Sequence, residues 1–188
     1  MDFSELSSLI RKEADELFFE KGLKEILADY GIPHPTGSYE LDLMTWRDLD
    51  IYLQGDHISE ATFFELGRRI AERFQPVKMS YRNERIGKSK GLPDGLYWGV
   101  YLGDERRGSW KIDIWAVDTK ELQRLQDYSK SLKDRLTSSS RDKILRIKSR
   151  CWMNPAYRKT FLSTDIYSAV LDYGVSSYDE FEKYLERS

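Results

Sequence analysis

Residues 36–53 read TGSYELDLMTWRDLDIYL, and the second half of that stretch decides the fold. From Asp48 onward, acid and apolar residues alternate: Asp48 and Asp50 against Leu49, Ile51 and Leu53. Period-2 alternation marks a strand with one face in a core, so the two carboxylates share the other face. The segment WKIDIWAV at residues 110–117 repeats the pattern, with Ile112, Ile114 and Ala116 on one face and Asp113 on the other. If the two strands are neighbours, three negative charges converge at one end of a sheet. Carboxylates that close repel and raise each other's pKa, which is costly unless a cation sits among them. Oxygen-only ligands of this kind suit magnesium or manganese better than zinc.

Gly37-Ser38 stands nine residues ahead of Asp48. Gly37 has no side chain, so a phosphate can approach its backbone closely. Ser38 is expected to open a short helical stretch over 39–44 whose free N–H groups face that phosphate. Metal ions on the three carboxylates would bridge the phosphate oxygens, activate an attacking hydroxyl and stabilise a departing pyrophosphate.

The pattern GS-x9-D-x-D, with a later acid in an apolar-alternating strand, resembles the polymerase-beta-type nucleotidyltransferase superfamily. The resemblance covers roughly residues 30–118. It implies that Asp48 and Asp50 bind two metal ions, Mg2+ or Mn2+. Asp113 would bind the catalytic ion alone and help deprotonate the acceptor hydroxyl, with Gly37 and Ser38 at the triphosphate of an NTP. Polymerases of the superfamily often carry a basic residue shortly after the serine. Here Glu40, Leu41 and Asp42 fill that stretch, so the triphosphate must find its positive partners elsewhere.

The chain has 188 residues, 40% hydrophobic and 13% aromatic, enough for a real core and too apolar for wholesale disorder. A net charge of −2 argues against a generic nucleic-acid-binding protein. One cysteine, Cys151, excludes an internal disulfide and fits a reducing cytoplasm. Two histidines without a cysteine cluster make a zinc site improbable. The N-terminal stretch is amphipathic and charged, with no apolar run long enough for a signal peptide or membrane span. Charge is uneven, since residues 120–159 hold twelve Lys or Arg against four Asp or Glu. A basic helical wall beside an acidic site could hold an anion.

Along the chain, 4–30 is expected as a single helix ended by Gly31, with Pro33 and Pro35 enforcing an extended lead into Gly37. Strand 48–53 is followed by a helix over 59–74 capped by Ser59, then a strand over 77–82. Residues 96–102 and 109–117 read as a hairpin, and four helices follow at 119–136, 140–150, 163–173 and 177–186. This is an α+β architecture: a nucleotidyltransferase-like mixed sheet flanked by helices, with residues 1–118 as core and 119–188 as a C-terminal helical subdomain.

Other candidates are read against plainer alternatives. The glycine-rich loop at 83–95 carries Arg82, Arg85, Lys88 and Lys90 at or beside it. Arg82 and Lys88 are its candidate triphosphate contacts, against a solvated connection. In the helix at 140–150, Ile144, Leu145 and Ile147 anchor the core side. Arg141, Lys143, Arg146, Lys148 and Arg150 are candidate phosphate or RNA contacts, against the preferred reading of a solvated basic face. Most aromatic residues, Tyr97 and Trp110 among them, are expected in the core. His34 is a candidate for orienting an acceptor at the rim of the site, against the preferred reading of a turn residue between two prolines; Arg47 reads as structural and Asp118 as a helix cap.

The functional expectation is a metal-dependent enzyme passing a nucleoside monophosphate from an NTP to a hydroxyl of a small-molecule or protein acceptor. Two alternatives stay open. One is a non-catalytic nucleotide- or metal-binding member of the same fold. The other is an RNA-modifying nucleotidyltransferase, with RNA the less favoured acceptor.

Overall fold

The computed structural model describes residues 2–187. Among them five strands make one sheet: β1 (Ile32–Thr36), β2 (Asp48–Gln54), β3 (Lys78–Asn83), β4 (Gly95–Tyr101) and β5 (Lys111–Val117). Their spatial order is β1-β2-β5-β4-β3. β2 and β5 run parallel, and the other neighbours are antiparallel, so the sheet is mixed as expected.

Register does the positioning. Thr36 pairs with Asp50, Asp50 with Asp113, Asp113 with Gly99, and Gly99 with Ser80. One row therefore crosses all five strands, and residues directly opposite one another share a face. The reverse face is apolar. Leu49, Ile51 and Leu53 of β2 and Ile112, Ile114 and Ala116 of β5 are completely buried. They pack with Phe63, Leu66 and Ile70 of α3 (Glu60–Phe74) and with Leu17, Leu23 and Leu27 near the N-terminus. Fully burying one such side chain contributes about 1.5–3 kcal/mol, so this face fixes the sheet and leaves the acids on the other. Ser59 caps α3 as expected, accepting from the Thr62 N–H.

The expected single N-terminal helix is in three pieces. α1 (Phe3–Asp15) runs into a π-helical turn at Glu16–Glu20, and α2 (Leu23–Ala28) follows. Gly22 at φ +86° makes the break, a left-handed conformation that costs glycine little. The proline-containing lead is the edge strand β1, where the prolines' lack of an N–H is tolerated. A short helix, α4 (Glu84–Gly87), stands in the loop expected after β3.

α5 (Thr119–Lys133) lies over the acidic face of the sheet, with Leu122 packed against Tyr97 and Trp115. Asp118 caps it by accepting from the Glu121 N–H. α6 (Ser138–Cys151), α7 (Ser163–Tyr173) and α8 (Tyr178–Leu185) enclose a separate apolar cluster with Leu41, Leu43 and Trp46. The segment between β1 and β2 thus belongs to the packing of the C-terminal helices. No helix among the described residues is long and apolar enough to cross a membrane.

Candidate active site

The segment expected as a helix over 39–44 is a chain of turns. Leu41 N–H donates to the Gly37 carbonyl, and Leu43 N–H to that of Ser38. Asp42 has φ +57°, which interrupts any regular helix. The competing demand is burial, since Leu41 and Leu43 both enter the second apolar cluster. The turn is pinned from three sides. Arg11 donates to the Tyr39 carbonyl (2.6 Å), the Tyr39 hydroxyl to Asp15 (2.6 Å), and Arg141 to Asp42 (2.8 Å).

Gly37 itself sits at φ +62°. A Cβ there would lie 2.6 Å from Asp50 Oδ2, so its backbone presses directly against that carboxylate. Conformation and space both demand glycine at this position.

Asp48, Asp50 and Asp113 line one cleft of about 510 Å3. Asp48 Oδ2 accepts from Arg158 at 2.6 Å, while its Oδ1 is buried and without a hydrogen bond. Asp113 Oδ1 accepts from the Tyr97 hydroxyl at 2.7 Å, and Oδ2 from Lys111 Nζ at 2.5 Å. Lys111 also lies 3.7 Å from Asp48 Oδ1. The Asp50 carboxylate makes no hydrogen bond among the described residues. Burial, then the charges of Asp48 and Asp113, hold the Asp50 carboxyl well above the usual range. Burial and Asp48 also raise Asp113, against the pull of Lys111. Burial alone would lower the Lys111 ammonium, but Asp48 and Asp113 outweigh it and hold it high. Arg158 follows the same logic, with Asp48 and Glu105 stabilising its charge against burial.

Among the described residues no three acidic, histidine or cysteine side chains close around a common point tightly enough to cage an ion. Protein cations serve these carboxylates instead. The donor chemistry still fits a hard divalent cation. Its ligands are oxygen alone, one buried oxygen of Asp48 is unbonded, and the charged form of Asp50 is disfavoured where no cation pairs with it.

Lys111 and Arg158 were not singled out in the sequence. Lys111 had a signal, because alternation puts it on the same face as Asp113. Arg158 had none. It lies in irregular chain between α6 and α7 at φ +66°, uncommon for a side-chain-bearing residue. From there its guanidinium bridges Asp48 and Glu105 (2.8 Å), beside the stacked Trp46 and Trp152.

A second cationic feature lies behind Ser38. Lys148 of α6, expected on a solvated face, is completely buried. Its Nζ donates to Ser38 Oγ (2.7 Å), the Leu43 carbonyl (2.8 Å) and the Tyr167 hydroxyl (3.2 Å), with the Trp46 ring at 4.8 Å. All these partners are neutral. A buried ammonium without a carboxylate costs several kcal/mol, so such a lysine is rare unless its charge serves an anion.

Of the remaining candidates, Arg82 lines the cleft, more than half exposed and 3.7 Å from Glu84. Lys88 lies outside it, paired with Asp94 at 2.5 Å. His34 is on β1 rather than in a turn, beside Gln54. Arg47 is structural as expected, making a two-pronged pair with Glu13.

The chain has the fold of the polymerase-beta-type nucleotidyltransferases. It is similar to a cytoplasmic RNA terminal U-transferase, with a TM-score of 0.56 and 16% identity over 92% of this chain and 54% of that one. It is also similar to Cid1, an RNA terminal uridylyl transferase, with a TM-score of 0.55 and 16% identity over 92% of this chain and 52% of Cid1. Cid1 poly(U) polymerase with MgGTP bound gives a TM-score of 0.55 and 16% identity, over 91% of this chain and 55% of that one. The chain thus spans about half the length of these neighbours. No protein-family model and no curated protein matches it in sequence.

Proposed function

We propose that this protein is a metal-dependent nucleotidyltransferase, passing a nucleoside monophosphate from an NTP to a hydroxyl of a small-molecule or protein acceptor. The observation that carries the reading is the pairing of Asp50 with Asp113 across parallel strands, with Asp50 against the Gly37 backbone. Asp48, Asp50 and Asp113 would hold two Mg2+ or Mn2+ ions, and these would supply charge neutralisation at the transferring phosphate and a more acidic acceptor hydroxyl.

The chain's own residues divide the remaining work. Gly37 lets the Asp50 carboxylate lie directly against the turn that would meet the polyphosphate. Ser38 would offer it a hydroxyl, and the Lys148 ammonium buried behind Ser38 would act on it as a positive charge through that hydroxyl, a charge that Glu40 and Asp42 cannot provide. Arg158 and Lys111 neutralise the carboxylates until the substrate complex takes over that role. Arg82 reaches the cleft from the β3 edge and is our candidate for an outer phosphate or acceptor contact. Lys88 would need to leave Asp94 to take part. Positioning and charge, rather than covalent chemistry by the protein, carry the reaction.

RNA is the second reading, favoured by the fold likeness to RNA terminal uridylyl transferase structures. The basic stretch at 120–159 supports it weakly, because all six of its arginines are already paired with acids. One experiment separates the acceptors. Each labelled NTP is incubated with Mg2+ and either a metabolite extract, the protein alone or a short RNA, and mass spectrometry looks for an added nucleotidyl group. Transfer that disappears in Asp48→Ala and Asp113→Ala is expected. Nucleotide binding without transfer to any acceptor would favour a non-catalytic binder.

A further inference from the structure

We propose that Tyr97 is a positioning residue for Asp113, and that Gly99 is a glycine so that Tyr97 can reach it. This rests on the reading of Asp113 as a metal ligand. The geometry is a three-strand arrangement. Gly99 of β4 lies directly opposite Asp113 of β5, and Tyr97, two residues earlier on β4, projects from the same face. The Tyr97 side chain leans along its own strand, over the bare Cα of Gly99, and places its hydroxyl 2.7 Å from Asp113 Oδ1. A Cβ on Gly99 would stand 2.4 Å from that hydroxyl oxygen and 2.8 Å from Ser80 Oγ on the other neighbouring strand. Alanine cannot occupy that place unless the tyrosine moves. The backbone of Gly99 is not left-handed, so space and not conformation demands the glycine.

The ring is held independently of its hydroxyl. Tyr97 is the cross-strand partner of Trp115, with ring centroids 4.7 Å apart, and Leu122 of α5 packs on the pair. The hydroxyl is thus presented from a fixed ring at the edge of the cleft. Its effect on Asp113 is to divide the two carboxylate oxygens. Oδ1 is tied by a neutral donor that brings no charge to compete with a metal. Oδ2 is left to Lys111, a cation that a divalent ion can replace. Without the hydroxyl, Lys111 could take both oxygens and the carboxylate could turn. Outer partners that orient a metal's ligands are worth about 10–100-fold in metal affinity.

The test uses Mn2+ binding, read by electron paramagnetic resonance on the purified full chain, with thermal stability recorded in parallel. Tyr97→Phe keeps the ring and its stack. Its Mn2+ dissociation constant should rise about tenfold or more, while its unfolding temperature moves little. Gly99→Ala should weaken Mn2+ similarly, and in the Tyr97→Phe background its further effect should be smaller than in the wild type. In transfer assays, Tyr97→Phe should lower the rate at fixed metal with the nucleotide KM little changed. Equal Mn2+ affinity in wild type and Tyr97→Phe, with Asp113→Asn weakened, overturns the positioning role alone. A wild type that binds no Mn2+ overturns the metal reading and the positioning role with it.

Discussion

The two halves of the site hold charge in opposite ways. On the sheet, three carboxylates face one another, and the fold supplies Lys111 and Arg158 to keep them tolerable. Behind Ser38, one ammonium is buried among neutral partners with no carboxylate. The acidic half is therefore already partly neutralised by protein cations, which a metal must displace. The lysine half carries a positive charge that the protein itself does not neutralise, which an anion would meet without displacing anything charged. The contrast teaches that the two halves should fail differently: the first through metal, the second through nucleotide.

The largest effect is expected at Asp50. Asp50→Asn should cut transfer by about a thousandfold, because metal charge stabilisation is worth several kcal/mol. The same change should stabilise the folded protein at pH 7 by about 1 kcal/mol, raising the unfolding temperature by about 2–4 °C. Burial with Asp48 and Asp113 raises the folded carboxyl above 3.8, so the folded state binds that proton more tightly than the unfolded state. Stability linked to it is whole below about pH 4 and is lost as pH rises through the raised range. The advantage of the Asp50→Asn variant should accordingly vanish in acid and grow toward neutrality. Equal pH dependence in variant and wild type, followed by calorimetry, would break the acidic half of the comparison.

Next comes Lys148→Met, which removes the charge but keeps much of the volume. Nucleotide KM should rise about a hundredfold, the scale of a hydrogen bond to a charged group, here relayed to the phosphate through Ser38. Mn2+ affinity should stay within about twofold, since Lys148 touches none of the three carboxylates. Stability of the nucleotide-free protein should move by only about 1 kcal/mol. Relief from a buried unpaired charge offsets the orphaned Leu43 carbonyl. A large loss of Mn2+ affinity in this variant would show that the two halves are not separable.

The same division explains what could be read from the chain alone. The acidic half was legible because alternation is local: five residues from Asp48 state which side chains share a face. Asp113 could be placed on a strand, but its register beside Asp50 is a long-range fact that no local pattern contains. The lysine half was read wrongly, although a signal existed. Ile144, Lys148 and Cys151 fall on one helical stripe, and a lysine inside an apolar stripe is more informative than one on a polar face. The 39–44 segment failed as a helix because Leu41 and Leu43 are drawn into the packing of helices more than a hundred residues away. Tyr97 was correctly placed in the core by its ring, which hid the role of its hydroxyl.

Arg158 supplies the next-largest test, with an opposite sign. If it competes with metal for Asp48, Arg158→Gln should tighten Mn2+ binding by about tenfold, the scale of one partly screened charge interaction. Hydrogen exchange in residues 152–161 should quicken, because the guanidinium ties that segment to Asp48 and Glu105. Weaker Mn2+ binding instead would make Arg158 an organiser of the carboxylates rather than their counter-ion.

The smallest effect separates those two roles at a distance from the ligands. Glu105 holds the other face of the same guanidinium and touches none of the three aspartates. With Glu105→Gln, Arg158 keeps Asp48 as its remaining anionic partner, so its hold on that carboxylate should strengthen. Mn2+ binding should then weaken by about twofold to fivefold, matching the 0.2–1 kcal/mol of a partly exposed pair. Removing one negative charge nearby also disfavours a cation, so the single variant is not decisive. The decisive form is the pair. In an Arg158→Gln background, Glu105→Gln should lose most of its effect on Mn2+, because no guanidinium remains for it to release. An effect of unchanged size in both backgrounds would assign it to the general field of the cleft and remove Arg158 from the account of how the acidic half is kept neutral.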